Sequence, residues 1–288
     1  MKKIATVTIY DKYNFGNRLQ AYALQKYLSE EIVVKETIND KIKSIIKYII
    51  NYKGYRKKIL KNKYFDEFGK NIKINEIRNA SNKLNNYYDS FIVGSDQVWN
   101  PSFKKNDLFF LEFIDNNKKN SYAASIGVSE ISEEDKIKFE KLSKFKLLSV
   151  REENAKKIIE ECTDRKDVQV LVDPTLLLSK EEWMEVEKKP RQHLENTQYI
   201  LLYFLGNISN DRMKEINTFA KENNLEIIDV MNQDSKYYNI GPSEFIYLIH
   251  NAFLICTDSF HASVFSFIFN NPFVVFNRED NLKSMNAR

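Results

Sequence analysis

Short apolar runs separated by helix-spaced segments recur along the whole chain, and that alternation leaves few folds open to it. Residues 4–9, 32–37, 90–93, 121–125, 147–151 and 168–172 read as strands. Helices are expected over 18–29, 133–144 and 153–161. Leu19, Tyr22, Ala23, Lys26 and Tyr27 repeat at helical spacing in the first of these, and Ser132 with the acids after it marks the start of the second. The pattern then restarts, with strands over 199–205, 225–230, 253–256 and 273–276 and helices over 211–222, 242–251 and 260–269. Pro242 and the acid behind it suit a helix opening. Strands that are apolar throughout, rather than alternating, belong to parallel sheets covered on both faces. The expectation is an α/β fold of two Rossmann-like domains with parallel sheets. The polar stretch 179–196 divides them into residues 1–185 and 186–288.

Residues 41–73 break the pattern. They are rich in Lys, Ile and Tyr, with Gly54 among them, and read as one or two amphipathic helices inserted in the first domain. A charge run of this kind is usually a solvated face. The sharper alternative is contact with a membrane surface or an anionic lipid-linked molecule.

Composition removes several function classes. The net charge of +4 is spread along the chain, unlike the one-sided basic footprint of a nucleic-acid binder. Cys162 and Cys256 make no disulfide framework, and no Cys/His cluster has metal-site spacing. The segment after Met1-Lys2-Lys3 is too short and too polar-flanked for a secretory signal, and no run reaches membrane-spanning length. A cytoplasmic protein with reduced thiols is expected.

In open parallel sheets ligands bind at the carboxyl ends of strands, and four such places carry concentrated polar chemistry. After the first strand, Asn14, Gly16 and Arg18 open a helix; a helix start with a glycine turn and a guanidinium suits an anion, and equally a plain loop and cap. After residues 90–93 comes Gly94-Ser95-Asp96-Gln97-Val98-Trp99-Asn100-Pro101. Asp96, Gln97 and Asn100 can hydrogen-bond sugar hydroxyls, and Trp99 can stack on a sugar ring, or Asp96 caps a helix and Trp99 is core. Arg151 ends another strand, placed to clamp a phosphate or carboxylate, or to pair with Glu152 or Asp173. In Thr257-Asp258-Ser259-Phe260-His261, Ser259 is the N-cap and His261 falls in the first helical turn, a position suited to proton transfer or phosphate binding, or to a structural histidine. His250 at a helix end and His193 in the polar stretch are poorer candidates, and Cys256 reads as a buried strand residue rather than a nucleophile.

The segments YNFGNRLQAYALQKYL, FIVGSDQVWNP, SYAASIG, SVREE, VLVDPTLLL, EEW, GPSEFI and TDSFHASVFS, in this order, resemble the polysaccharide pyruvyl transferase family across nearly the whole chain. The combination of GSDQVWN, DPTLLL and DSFHA is what makes the resemblance specific. It implies a GT-B-like arrangement with a cleft between the domains. It implies transfer of pyruvate from phosphoenolpyruvate to two hydroxyls of one sugar, giving a cyclic ketal on a surface or capsular glycan or its lipid-linked precursor. It further implies no cofactor beyond the donor substrate, no metal, and work at the inner face of the membrane. His261 resembles the family's catalytic or phosphate-contacting histidine, Arg151 an anion-binding arginine, Asp96 with Gln97 part of the acceptor site, and Ser259 part of the phosphate cradle. Asp96 or Asp258 is the carboxylate expected beside a cationic transition state, with Ser95 in the same loop. The family continues through further helices where this chain stops at Arg288, so the resemblance also implies a truncated C-terminal end. The alternatives are a GT-B-type nucleotide-sugar glycosyltransferase and a non-catalytic glycan-binding member.

Overall fold

The computed structural model describes residues 2–10, 13–28, 31–34, 52–72, 74–76, 81–103, 106–192 and 198–278. The chain begins with β1 (Ile4–Val7), α1 (Phe15–Leu28) and β2 (Glu31–Val34), followed by α2 (Tyr52–Gly69) and β3 (Ile74–Glu76). β4 (Ser90–Val93) and β5 (Lys119–Ser121) complete a parallel sheet in the order β3-β2-β1-β4-β5. After α3 (Glu133–Phe139) come β6 (Ser149–Val150), α4 (Glu153–Thr163) and β7 (Gln169–Val170). β6 and β7 pair in parallel, and single bridges Asn120–Leu147 and Ala124–Val150 tie them to the β5 side of the first sheet. The order reverses between β1 and β4, as in a Rossmann sheet.

α5 (Lys180–Met184) leads to a second set: β8 (Tyr199–Tyr203), α6 (Asn210–Glu222), β9 (Glu226–Asp229), α7 (Pro242–His250), β10 (Leu254–Thr257), α8 (Phe260–Phe269) and β11 (Phe273–Val275). These strands form a parallel sheet in the order β11-β10-β8-β9, which reverses between β8 and β10. The alternation read from the sequence therefore becomes parallel α/β sheets, as expected.

Burial explains why the strands are apolar throughout. In β8, Tyr199, Leu201 and Tyr203 face one core while Ile200 and Leu202 face another, on the α6 side. Successive strand residues point to opposite faces, so both faces are covered. α1 is more unusual, because every residue from Phe15 to Gln25 is buried. It is sandwiched between the first sheet and the elements of the second. Phe15 stacks on Phe245 of α7 with ring centroids 4.4 Å apart and on Phe65 of α2 at 5.2 Å. Aromatic pairs of this kind add about 0.5–1.5 kcal/mol each beyond their area. The polar residues of so buried a helix need partners. Gln20 donates to Thr8 Oγ1 (2.9 Å) and to the Asn17 carbonyl (3.0 Å), and accepts the Ser95 N–H (3.1 Å).

Three local expectations change. The strand expected over 121–125 is Lys119–Ser121, because the chain turns at Ala123, whose φ is 45°. The polar stretch after residue 179 contains α5, opened by a capping box between Ser179 and Glu182. Its Trp183 is fully buried, donates to the Thr175 carbonyl at 3.1 Å and packs edge-on to Phe265. One tryptophan per short helix is too little for a periodic signal. The basic stretch does form a helix over its described part, α2, while residues 35–51 lie outside the described residues. α2 is not wholly a solvated face: Lys61, Phe65 and Phe68 are buried, with Ile59 and Leu60 on the exposed side. Among the described residues, no helix is long and apolar enough to cross a membrane.

Candidate functional site

The two points where strand order reverses supply loops that meet. From the first sheet come the turn after β1, leading into α1, and the turn after β4, Gly94 to Asp96. From the second come the turns after β8 and β10. Gly94 has φ 118°, and a Cβ there would lie 2.3 Å from the Tyr122 carbonyl oxygen, so only glycine lets the β4 turn pass so close to the neighbouring strand. Asp96 follows with φ 66°. Its carboxylate accepts from its neighbour Gln97 N–H at 2.9 Å and from Asn17 Nδ2 of α1.

Asp173 is the hub of the cluster. It lies just after β7 and is fully enclosed. Oδ1 accepts from the Thr175 N–H (3.0 Å) and hydroxyl (2.7 Å), capping the turn Pro174–Leu177. Oδ2 takes Arg151 Nη1 at 2.6 Å and lies 3.1 Å from Ser95 Oγ. His261 Nε2 stands 3.7 Å from the same oxygen, an ion-pair distance rather than a hydrogen bond. Burial alone would raise this carboxyl. The imidazole, the Arg151 guanidinium and the Thr175 N–H outweigh it and hold Asp173 well below the usual carboxylate range.

Arg151 leaves β6 and points into the same space. Besides Asp173, its Nη2 is 3.8 Å from Asp96 Oδ1 and its Nε 3.8 Å from Glu152 Oε2, while the guanidinium lies over the Phe260 ring at 4.3 Å. Glu152 is anchored through Oε1, which accepts from Ser125 Oγ (2.8 Å) and the N–H groups of Ile126 (3.0 Å) and Gly127 (3.3 Å). Arg151 Nε and Nη2, Glu152 Oε2 and His261 Nε2 are all buried without a hydrogen-bond partner. Buried polar atoms are paired nine times in ten or more, so four orphans in one cluster mark a place where something else is expected to bind. Three carboxylates (Asp96, Glu152, Asp173) face one guanidinium and one imidazole. The carboxylates outnumber the cations, a setting that favours a developing positive charge.

His261 is in the first turn of α8, which Ser259 caps by accepting the Ala262 N–H, as the sequence predicts. It is 6% exposed, and its ring lies against the backbone of α1: a Cβ added to Gly16 would come 2.2 Å from Nδ1. Gly16→Ala is therefore expected to displace the imidazole. The added methyl and the nearly enclosed ring cannot share that space, so turnover should fall at least tenfold and the melting temperature should drop. A melting curve together with a rate assay checks both parts.

The other expected site residues fall in several places. Asn14 caps α1, its Oδ1 accepting the Asn17 N–H at 3.3 Å. Arg18 is buried, its guanidinium 3.5 Å above the Tyr10 ring and facing Phe65 of α2. Gln97 accepts from Asn100 Nδ2 at 2.8 Å and packs on Gly127; Asn100 in turn accepts the Ser102 N–H. Trp99 is fully buried, donating to the Phe109 carbonyl and packing against Phe110 and Phe145, so of the two readings open for it, core packing is the one its surroundings match. Asp258 is held by the turn after β8: it accepts the N–H groups of Leu205 and Gly206 at 2.7 Å each and Arg278 Nε at 3.0 Å. Its oxygens are committed to shaping that turn. Cys256 is buried, and burial pushes its thiol up to about 11, far from a thiolate at neutral pH. His250 pairs with Glu187 at 3.0 Å, away from the cluster, and His193 lies outside the described residues. Among the described residues no group of three or more His, Cys, Asp or Glu side chains is arranged to hold a metal ion.

Sequence reasoning named Glu152 and Asp173 as possible partners of Arg151, which they are, but not as site residues in their own right. Asp173-Pro174 ends a strand and reads as a turn former, which it also is.

A family model described as polysaccharide pyruvyl transferase matches residues 14–281. Comparison with curated proteins finds no match. Among solved structures, UDP-N-acetylglucosamine 2-epimerase from Rickettsia bellii superposes with a TM-score of 0.51 at 13% identity, over 95% of this chain and 78% of that one. A Listeria monocytogenes protein assigned as a UDP-N-acetylglucosamine 2-epimerase gives 0.55 at 11% identity, over 98% and 81%. At such identities the likeness is one of fold, GT-B-like α/β with parallel sheets.

Proposed function

The chain belongs to the polysaccharide pyruvyl transferase family, and from that footing we propose that it transfers the pyruvyl unit of phosphoenolpyruvate to two hydroxyls of one sugar in a surface glycan. The observation that carries this reading is the Asp173–Arg151–His261 cluster, with its orphaned Arg151 and His261 nitrogens. The reaction asks for what this cluster offers. A proton goes to the methylene carbon of the donor, leaving a cationic centre at its second carbon. One sugar oxygen bonds to that carbon. The second then bonds as the carbon–oxygen bond to phosphate breaks, and inorganic phosphate leaves. The two hydroxyl protons balance the one gained by the methyl group and the one gained by phosphate.

His261, with Asp173 behind it, is the group for proton transfer. Arg151 Nη2 and Nε are the N–H directions left for a donor carboxylate or phosphate. Asp96 takes the carboxylate role because it stands beside Arg151 in the cluster, whereas Asp258 is held by the turn after β8 and Arg278. The acceptor is a sugar of an exopolysaccharide, capsule or cell-wall glycan, met at the cytoplasmic face while still lipid-linked.

A thermal-shift series tests the reading against its rivals, because a ligand bound only by the folded state raises the melting temperature. Phosphoenolpyruvate should stabilise the protein, and UDP and GDP should not. Stabilisation by a nucleotide alone would favour a nucleotide-sugar glycosyltransferase. Stabilisation by glycans alone would favour a binding protein.

A further inference from the structure

Where the first sheet stops, side chains take over the main chain of the β4 turn. The last ladder contact of β1 with this strand is the Gly94 N–H, which donates to the Val7 carbonyl at 3.1 Å. The next residue, Ser95, is fully buried, as are Thr8 and Gln20 beside it. Buried backbone groups need partners. The Ser95 N–H donates to Gln20 Oε1 at 3.1 Å, and the Ser95 carbonyl accepts from Thr8 Oγ1 at 3.2 Å. Gln20 Nε2 closes the ring by donating to Thr8 Oγ1 at 2.9 Å, and it is steadied on the Asn17 carbonyl at 3.0 Å. A primary amide accepts and donates from one planar group, so a single residue of α1 secures both backbone groups of Ser95, one directly and one through Thr8.

The cluster hangs from that residue. Ser95 Oγ lies 2.8 Å from the Ala123 carbonyl and 3.1 Å from Asp173 Oδ2. Asp96 is next in the chain; its carboxylate accepts from Asn17 Nδ2, also of α1, and stands 3.8 Å from Arg151 Nη2. Gly16 precedes Gln20 by one helical turn, and residues four apart share a helix face. Gly16 is the residue pressed against the His261 imidazole. One turn of α1 therefore meets the histidine and the next holds the turn that bears Asp96, while Arg151 arrives separately on β6.

We infer that Gln20 is a positioning residue: through Ser95 it sets where the Asp96 carboxylate stands relative to His261. The inference rests on the reading that Asp96 and His261 serve the transfer reaction. Gln20 acts through Ser95 rather than on the substrate. Without its amide the Ser95 N–H loses its acceptor, and the turn can shift against α1. The donor should still be gripped, because Arg151 and His261 are carried by β6 and α8.

Gln20→Met and Gln20→Glu test the role in the full chain. Turnover is read as inorganic phosphate released from phosphoenolpyruvate with an envelope-glycan acceptor, and donor affinity by calorimetry. Methionine keeps the length of the side chain but offers no amide. Turnover of Gln20→Met should fall about a hundredfold, the usual cost of a misplacement of about 1 Å, with affinity for phosphoenolpyruvate little changed. Gln20→Glu adds a readout that packing cannot imitate. Burial and the carboxylates beyond Ser95, Asp96 and Asp173, raise the pKa of the new carboxyl, and Arg151, shared among three carboxylates, opposes them only in part. In its neutral form the carboxyl accepts from Ser95 and donates to Thr8 as the amide does. Ionised, it has no hydrogen for Thr8 and is repelled by the Asn17 carbonyl. The turnover of Gln20→Glu relative to wild type should therefore fall as pH rises, and that of Gln20→Met should show no such trend. Should Gln20→Met not fold, the Gln20→Glu profile decides alone. Gln20→Met that keeps turnover within twofold, or that loses turnover and donor affinity in step, overturns the role, as does a Gln20→Glu ratio independent of pH; each leaves the donor reading standing. Wild type that neither binds phosphoenolpyruvate nor releases phosphate from it removes the donor reading, and the role of Gln20 with it.

Discussion

Replacing His261 by alanine is expected to lower phosphate release from phosphoenolpyruvate about a thousandfold, within the range that a positioned acid–base group contributes. The assay uses an envelope-glycan acceptor and reads inorganic phosphate. The side chain is nearly enclosed, between Gly16, Phe260 and Asp173. Its removal therefore leaves a small void, with a stability cost of about 1–2 kcal/mol. That cost leaves most of the chain folded and does not account for a loss of that size. His261→Gln fills more of the void but offers no titratable nitrogen, so it should be as inactive while melting closer to wild type. Full turnover in either variant contradicts the assignment of His261.

Arg151→Met should have the largest effect on stability, about 3–5 kcal/mol, the usual cost of leaving a buried charge without its partner. Three carboxylates depend on this guanidinium, and Asp173 is fully enclosed. The change should also alter the response to acid. In the wild type the Asp173 carboxyl is held below its unfolded-state value of about 3.9. The stability it contributes is therefore fully present above that value and is lost as pH falls toward the folded-state value. Without Arg151, burial acts against less opposition, the folded-state value moves up, and acid unfolding should begin at higher pH. Urea titrations of wild type and variant between neutral pH and pH 3 measure both effects. A variant as stable as wild type, with the same acid limb, would mean that the ion pair does not organise the cluster.

The sequence was most legible where one element carries its own signal. β4 and α8 lie where apolar pattern and capping residues place them, and Ser259 caps α8 because a serine ahead of an apolar run does so locally. It also gave the strand ends that bear Asp96, Arg151 and His261, since parallel sheets put chemistry there. It offered Glu152 or Asp173 as partners of Arg151, and both stand beside it; what it could not give is the full set that meets. Asp173 is 22 residues from Arg151 and 78 from Ser95, and only the packed sheets bring the three together. Lys61 read as one more charge in a basic run, because periodicity cannot tell a lysine on the α7 side of its helix from one in water. Trp99 had two equally good uses in sequence, and the Phe109 carbonyl decides in favour of the core. Asp258 stood level with Asp96 as the candidate carboxylate. The backbone groups that occupy it come from a loop more than 50 residues away.

The central claim is that the orphaned nitrogens of Arg151 and His261 hold the donor. A crystal soaked with phosphoenolpyruvate addresses it without knowledge of the acceptor. The account predicts density for the donor within hydrogen-bonding distance of Arg151 Nη2 and of His261 Nε2, with Asp173 still bound to Arg151 Nη1. Donor density at another place, or an unchanged cluster at saturating phosphoenolpyruvate, would contradict it.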